Sequence, residues 1–148
     1  MHIGVDPGRG GAIAVLHGDQ VAVLPKLGRY SEKDILAWLV DVVGGAGTQP
    51  RAVLEWVHSS PQMGVVSAFT FGREYGRLTA ILSAMDVEYA EVRPQTWQKD
   101  MECLTKGDKN ITKRKAQYMF PGIRVTHYTA DALLLAKYCQ RFEQELFT

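Results

Sequence analysis

Three strand-like segments open the sequence, and the links between them are only a few residues long. The segments are HIGVDPG at 2–8, GAIAVLHG at 11–18 and QVAVLPK at 20–26, with the turn dipeptide Gly-Asp at 18–19. Links this short can join only antiparallel neighbours. The first 26 residues therefore predict a three-stranded antiparallel meander.

Helices and strands alternate in the rest of the chain. A helix is predicted at 31–43, with Ser31 as its N-cap, followed by a loop at 44–50 and a buried strand at 51–57. A long helix then runs from about Ser60 to about Met85, with Pro61 at its first position, and leads to a strand at 87–93. The remaining predicted elements are short helices at 94–104 and 111–120, a loop between them at 105–110, and a final helix at 128–147. Strands reached through helical crossovers extend the meander. We therefore expect an α/β fold: a mixed five-stranded sheet, antiparallel in its first three strands and crossover-linked afterwards, flanked by helices.

Composition limits the class of protein. The 148 residues, 46% hydrophobic and 22% charged, suit one globular domain spanning 1–148. Cys103 and Cys139 form no CxxC pair, which argues against a disulfide scaffold and fits a reducing compartment. A signal-peptide pattern and an apolar run of membrane-spanning length are both absent from the sequence, so we expect a cytoplasmic protein without a membrane partner.

Asp6 stands where the first strand ends, followed by Pro7 and by glycines at 8, 10 and 11. Aspartate before proline and glycine is ordinary turn chemistry. The alternative is a ligand at a strand end, with small neighbours that leave room for a metal or a phosphate. This stretch alone leaves both interpretations open.

Three further residues are candidates to accompany Asp6. Glu55 lies inside the apolar stretch VLEWV, where a carboxylate is costly unless it is paired or ligates something; the alternative is an edge strand with Glu55 facing water. Asp131 opens the final helix, where an acid is also favoured by the helix dipole. His127 shares a face with Asp131 if that helix has begun by then, as a ligand or as a structural histidine.

Together these residues indicate metal chemistry. Asp6 on the first strand and Glu55 on the fourth converge if those strands are neighbours, and Asp131 completes the set from a helix packed over the same end of the sheet. Clustered carboxylates repel one another unless a cation neutralises them, and oxygen ligands select Mg²⁺ or Mn²⁺. Two such ions can activate water and stabilise the leaving oxygen in phosphodiester hydrolysis.

Four segments carry a resemblance to a known family. They are GVDPG at 4–8, LEWVHSSPQMGVVSAFTFGREYG at 54–76, VRPQTWQK at 92–99 and HYTADALLLAKY at 127–138. In order and spacing the chain resembles the RuvC-type Holliday junction resolvases of the ribonuclease H-like superfamily, particularly the short phage-encoded branch. The resemblance implies a ribonuclease H-like fold, a homodimer, and cleavage of Holliday junctions and other branched DNA. It also implies Mg²⁺, with Mn²⁺ as a substitute and two ions per site, and no other small-molecule cofactor.

The resemblance also assigns site residues by position. Asp6 corresponds to the central acid, Glu55 to the second and Asp131 to the last. Many members carry an acid or a histidine three residues before the last acid, where this chain has Tyr128, a poor Mg²⁺ ligand. His127 is the candidate substitute, so the catalytic and metal-binding set is Asp6, Glu55, His127 and Asp131.

Basic residues cluster late in a chain whose net charge is only +1. A local basic segment can bind a phosphate backbone, although a solvated helix face is the ordinary explanation of a charge run. Trp97 is either a base-stacking residue or part of the core. The candidate DNA contacts are Lys99, Lys106, Lys109, Lys113, Arg114 and Lys115, together with Arg73 and Arg77 on the long helix.

Small residues recur every four positions along the long helix. Three glycines inside a helix cost up to about 1 kcal/mol each relative to alanine, so the stripe suits close approach of another backbone. That backbone belongs to the protein's own sheet, to DNA or to a second subunit, and the resemblance favours the subunit. The predicted dimer seam consists of Gly64, Ala68, Phe69, Gly72 and Gly76.

Other functions explain parts of the pattern. Sugar kinases and actin-like ATPases open with a similar strand and aspartate, but they need two lobes, for which 148 residues are too few. An RNA-processing nuclease of the same superfamily would use the same acids. A non-catalytic DNA-binding module would have no use for them.

Overall fold

The computed structural model describes residues 1–45 and 47–148. Its strands are β1 (His2–Asp6), β2 (Ala12–His17), β3 (Gln20–Pro25), β4 (Arg51–Glu55) and β5 (Glu88–Val92). They form one sheet in the order β3-β2-β1-β4-β5, with β1, β2 and β3 antiparallel and β4 parallel to both β1 and β5. The predicted mixed sheet is confirmed.

Helices cover both faces of this sheet. They are α1 (Glu32–Val43), α2 (Val65–Ala84), α3 (Pro94–Asp100), α4 (Asn110–Met119), α5 (Ala130–Arg141) and α6 (Glu143–Phe147), with a short 3₁₀ helix at Leu27–Arg29. Side chains alternate along β2: Ala14 packs with α3, α4 and α5, whereas Ile13 packs with α1 and α2 on the other face. The sheet is therefore the middle of three layers. Among the described residues, no helix combines the length and the apolar character that crossing a membrane requires.

Helix α5 rests directly on the main chain of the central strand. A Cβ atom added at Gly4 would lie 2.1 Å from the carbonyl oxygen of Ala132 and 2.2 Å from the nitrogen of Ala136. Both of those atoms belong to the backbone, so no side-chain rotation can make room. Gly4 thus allows α5 to lie close over β1 and fixes where the helix begins relative to the strand end.

We expect Gly4→Ala to destabilise the fold by about 3 kcal/mol, the upper range for overpacking, because two backbones must separate. Urea unfolding measures the loss. Gly18→Ala supplies a contrast, since a Cβ at Gly18 meets no atom within 4 Å and only the backbone strain of its φ of 57° opposes it. Equal stability of Gly4→Ala and the wild type would contradict the close approach.

Several helix boundaries differ from prediction, and α3 ends at Asp100 instead of residue 104. Helix α2 begins at Val65 with Gly64 as its N-cap, because Ser60 and Pro61 lie in a turn in which the amide of Met63 donates to the Ser60 carbonyl at 2.9 Å. The prediction that Pro61 occupies the first position of the helix is wrong. The predicted loop at 44–50 includes Ala46, which lies outside the described residues.

The final helix starts at Ala130 instead of Tyr128, and it divides at Phe142 into α5 and α6. Glu143, the first residue of α6, accepts from His2 at 3.0 Å and from Arg51 at 3.2 Å. These contacts hold α6 against the starts of β1 and β4. The acidic residues lie at the opposite end of those strands.

Candidate active site

Three carboxylates lie at one end of the sheet, near enough for their charges to act on one another. Asp6 is the last residue of β1 and Glu55 the last of β4, and the parallel register Val5↔Leu54 puts these two ends side by side. Asp131 lies in the first turn of α5, the helix that Gly4 seats on β1. A Cβ at Gly11 would lie 2.0 Å from the Asp6 carbonyl oxygen, so the glycines after Asp6 serve the return of the chain toward β2.

All three carboxyl groups have raised pKa values. Burial raises the pKa of Asp6 well above its usual range, and the charges of Glu55 and Asp131 raise it further. Burial raises the pKa of Glu55 to about 7, with the Asp131 charge acting in the same direction. Burial also raises the pKa of Asp131. The cluster is therefore short of positive charge near neutral pH.

Trp97 bonds directly to one of these acids. Its indole N–H donates to Oε2 of Glu55 at 2.8 Å, and Glu55 itself is only 9% exposed. Trp97 is 0% exposed, so it has no face for a nucleobase, and its assignment to the core is confirmed. The hydrogen bond to Glu55 was not foreseen, since the two residues are 42 positions apart.

The donor set suits a hard divalent cation. Oδ1 of Asp131 is buried without a hydrogen-bond partner, and a cation would satisfy it. Oxygen ligands and raised carboxyl pKa values fit Mg²⁺ or Mn²⁺ chemically. Across residues 1–45 and 47–148, however, no three His, Cys, Asp or Glu side chains are close enough to enclose an ion as they stand. Enclosing a cation thus requires at least one of the three acids to shift toward the others.

His127 is exposed and precedes α5, so it does not share a helical face with Asp131 as expected. Its position still brings it near that acid, because it is among the charges that lower the pKa of Asp131 against the larger effect of burial. Tyr128, the neighbouring residue, is 46% exposed. The i, i+4 argument for His127 is therefore wrong, although its proximity to Asp131 stands.

Lys109 differs from the other basic residues because its charge acts on all three acids. Against the larger effect of burial, its charge lowers the pKa of Asp6, of Glu55 and of Asp131. It is exposed and immediately precedes α4. A positive side chain at this place can contact a phosphate that lies over the acids.

The fold is similar to that of solved protein structures. The structure of RuvC from Thermus thermophilus aligns with 97% of this chain and 95% of its own length, at a TM-score of 0.65 and 14% identity. The fold is that of RuvC. T. thermophilus RuvC in complex with a Holliday junction substrate aligns equally well, over 97% of this chain and 94% of that one. Neither a protein-family model nor a curated protein matches the sequence. Since a fold hosts several functions, activity has to be argued from the site.

A cavity of about 500 Å³ on this RuvC fold is lined by residues that follow the ends of β4 and β5. They include Trp56 and His58, which follow Glu55 in the chain, and Arg93, which follows β5. The Arg93 guanidinium lies 4.8 Å from the centre of the Trp56 ring, and the His58 ring stacks on Trp56 at 5.0 Å. Trp56 and His58 were not among the residues assigned from sequence, although an aromatic residue directly after Glu55 was a usable signal.

The predicted DNA contacts divide into different groups. Lys99 and Lys106 are exposed and line one cavity of about 420 Å³. A second group lies on α4, C-terminal to Lys109, and consists of Lys113, Arg114 and Lys115. Arg73 is exposed on α2.

Arg77 corrects the prediction for α2. Its side chain is 8% exposed, donates at 2.7 Å to the carbonyls of Leu27 and Tyr30, and lies 2.7 Å from a Glu74 oxygen. This guanidinium holds the 3₁₀ segment against α2 and is withdrawn from the DNA-binding candidates.

The first half of α2 projects from the RuvC fold. Its buried residues, Leu78, Ile81 and Leu82, all lie in the second half. A Cβ added at Gly64, Gly72 or Gly76 would meet nothing within 4 Å, so these glycines do not pack against the protein's own sheet. Val65, Val66 and Phe69 are 86%, 80% and 75% exposed. We call Val65, Val66, Phe69, Gly72 and Gly76 the α2 surface.

The raised pKa of Glu55 predicts an unusual pH dependence of stability. The folded protein holds this proton to about pH 7, whereas the unfolded chain releases it near 4.5. Glu55 therefore stabilises the metal-free fold fully below pH 4.5, and this contribution is lost as the pH rises to 7. Glu55→Gln keeps an acceptor for Trp97 without the charge. We expect it to raise the unfolding free energy by up to about 3 kcal/mol at pH 8, and by little at pH 4.5.

Urea unfolding in a metal chelator measures this effect. Glu145→Gln, at an exposed position on α6, is the control and should change little at either pH. Equal effects of Glu55→Gln at both pH values would contradict the raised pKa.

Proposed function

We propose that this chain is a metal-dependent endonuclease that cuts phosphodiester bonds in Holliday junctions and other branched DNA. The observation that supports it most is the convergence of Asp6, Glu55 and Asp131 at one strand end of a RuvC fold. A RuvC of this fold has been solved with a Holliday junction substrate. Raised carboxyl pKa values at a cleft are typical of functional sites.

The three acids would hold the cation, and two ions per site are part of the proposal. When bound, Mg²⁺ or Mn²⁺ supplies an activated water and neutralises charge on the leaving oxygen. The chain's own contribution is to fix the carboxylates on two parallel strands and one helix. Lys109 would contact the phosphate to be cut, and His127, near Asp131, would orient or deprotonate water.

DNA would be held by basic residues that are exposed or half-buried in the structure. Lys99 and Lys106 line one surface, Lys113, Arg114 and Lys115 another, and Arg73 projects from α2. Contacts of this kind position a phosphate backbone and do not select its sequence. Preference for a branch point would come from paired active sites in a homodimer.

Cleavage of a four-way junction, a matched duplex and a structured RNA in Mg²⁺ tests the proposal. We expect symmetric cuts in the junction, slow or no cutting of the duplex and the RNA, and no cutting with a chelator present. Preferential cleavage of RNA would favour an RNA-processing nuclease. Binding of the junction without cleavage in Mg²⁺ or Mn²⁺ would favour a non-catalytic module.

We expect the homodimer to form through the exposed α2 surface. A dimer with twofold symmetry matches a substrate that has two equivalent strands. A second copy approaching at Gly72 would be blocked by a larger side chain, whereas the open space around Gly72 leaves the monomer fold intact. We therefore expect Gly72→Leu to yield a folded monomer. Light scattering measures its mass, and Ser83→Leu, exposed at the far end of α2, is the control. A dimeric Gly72→Leu protein would move the seam elsewhere.

A further inference from the structure

We propose that Trp97 is a positioning residue, whose indole N–H fixes the Glu55 carboxylate in the orientation that receives the cation. The inference rests on the proposed function, because it concerns the same metal site. Its basis is the hydrogen bond from Nε1 of Trp97 to Oε2 of Glu55, 2.8 Å long and buried. Trp97 would act through Glu55 without touching DNA or metal.

The fold brings the two residues together through neighbouring strands. Strands β4 and β5 are parallel, with Glu55 opposite Val92 in register. Helix α3 starts two residues after Val92, and its amide at Trp97 donates to the Arg93 carbonyl at 3.2 Å. The first turn of α3 therefore returns over the end of β4, and the indole reaches the carboxylate there.

The donor is held rigidly. Trp97 is 0% exposed and belongs to the core layer formed with α4 and α5. A ring of this size cannot rotate without disrupting a close-packed interior. Glu55, on the other hand, has three rotatable bonds in its side chain. A fixed N–H at Oε2 restricts the rotation of the carboxylate and so limits where its second oxygen, Oε1, can point.

The chemistry of the indole suits this role. Its N–H donates and cannot accept, and it does not titrate in the range where carboxylates do. It can therefore bond one oxygen of an ionised Glu55 while the other binds a cation, without competing for that cation. Groups that orient metal ligands in this way typically change metal affinity or activity by about 10–100-fold when removed.

The test replaces one atom. Benzothienylalanine, inserted at position 97 by site-specific incorporation, has sulfur in place of the indole N–H and nearly the same shape. Mn²⁺ affinity is measured without DNA, from the paramagnetic resonance signal of free Mn²⁺. We expect the dissociation constant to rise at least about tenfold, with a parallel rise in the Mg²⁺ concentration that half-saturates junction cleavage. A fluorinated tryptophan at 97, which keeps the N–H, should bind Mn²⁺ like the wild type.

Control and outcomes separate the possible failures. Benzothienylalanine at Trp38, a half-buried residue on α1 that packs against the other core layer, should leave Mn²⁺ affinity unchanged. Unchanged Mn²⁺ affinity in the Trp97 analogue, beside a wild type that binds Mn²⁺ and cleaves, overturns the positioning role alone. A lower unfolding free energy with unchanged affinity assigns Trp97 to packing and overturns it too. A wild type that neither binds Mn²⁺ nor cleaves overturns this inference together with the proposed function.

Discussion

Asp6→Asn should reduce junction cleavage by about 1000-fold or more while leaving junction binding nearly unchanged. Asparagine keeps the shape of Asp6 but removes the negative charge on which the charges of Glu55 and Asp131 act. Losing one preorganised electrostatic group at a reacting centre typically costs 10²–10³ in rate, and here the lost group is also a metal ligand. Single-turnover cleavage and junction binding in Ca²⁺ measure the two effects separately.

The same substitution should stabilise the metal-free protein, because it removes a half-buried charge that two neighbouring carboxylates repel. A protein that is more stable and yet inactive cannot have lost activity by unfolding. Asp19→Asn, at the exposed turn between β2 and β3, is the control and should behave like the wild type. Cleavage by Asp6→Asn at close to the wild-type rate would remove Asp6 from the site.

Lys109→Met should slow cleavage by about 100-fold, the second largest effect expected. The charge of Lys109 acts on all three carboxyl groups. Its removal leaves the acid cluster more negative, so Mg²⁺ should bind more tightly and half-saturate the reaction at a lower concentration. A slower rate combined with tighter metal binding indicates that Lys109 contacts the phosphate and does not serve the metal.

Lys113→Met provides the matched control, since Lys113 lies one helical turn further along α4. It should weaken DNA binding slightly and reduce the salt dependence by at most about 0.9 in log–log slope, as for one lost phosphate contact. Its cleavage rate at saturating protein should hardly change. Equal rates for the two variants would place Lys109 among the general DNA contacts.

The antiparallel meander and the strand-end position of Asp6 were predictable because both follow from local patterns. Short links dictate the meander, and the first apolar run ends at Asp6. The end of β4 at Glu55 and the pairing of β1 with β4 did not follow in this way, since the sequence predicts a strand that continues to residue 57 and does not identify its neighbour. Helix starts were less certain, since Pro61 suits a turn as well as a first helical turn. The late start of α5 at Ala130 then removed the helical argument for His127.

Contacts between distant residues escaped sequence reasoning altogether. In the sequence, Arg77 cannot be told from an exposed arginine on a helix. In the structure, its guanidinium donates hydrogen bonds to carbonyls 47 and 50 residues away. A long flexible side chain reaches water or a buried acceptor equally well, and only the tertiary structure decides. The bond between Trp97 and Glu55 is of the same kind.

The close approach at Gly4 has a consequence for how this site tolerates change. Helix α5 meets β1 through backbone atoms, so the spacing between the helix that carries Asp131 and the strand that carries Asp6 is set by two main chains. Exchanges among Leu, Ile and Val elsewhere in the two cores alter side-chain volume but not this spacing. Substitutions in the interior therefore leave the spacing between the Asp131 helix and the Asp6 strand unchanged. A redesigned core could retain the site as long as position 4 stays glycine.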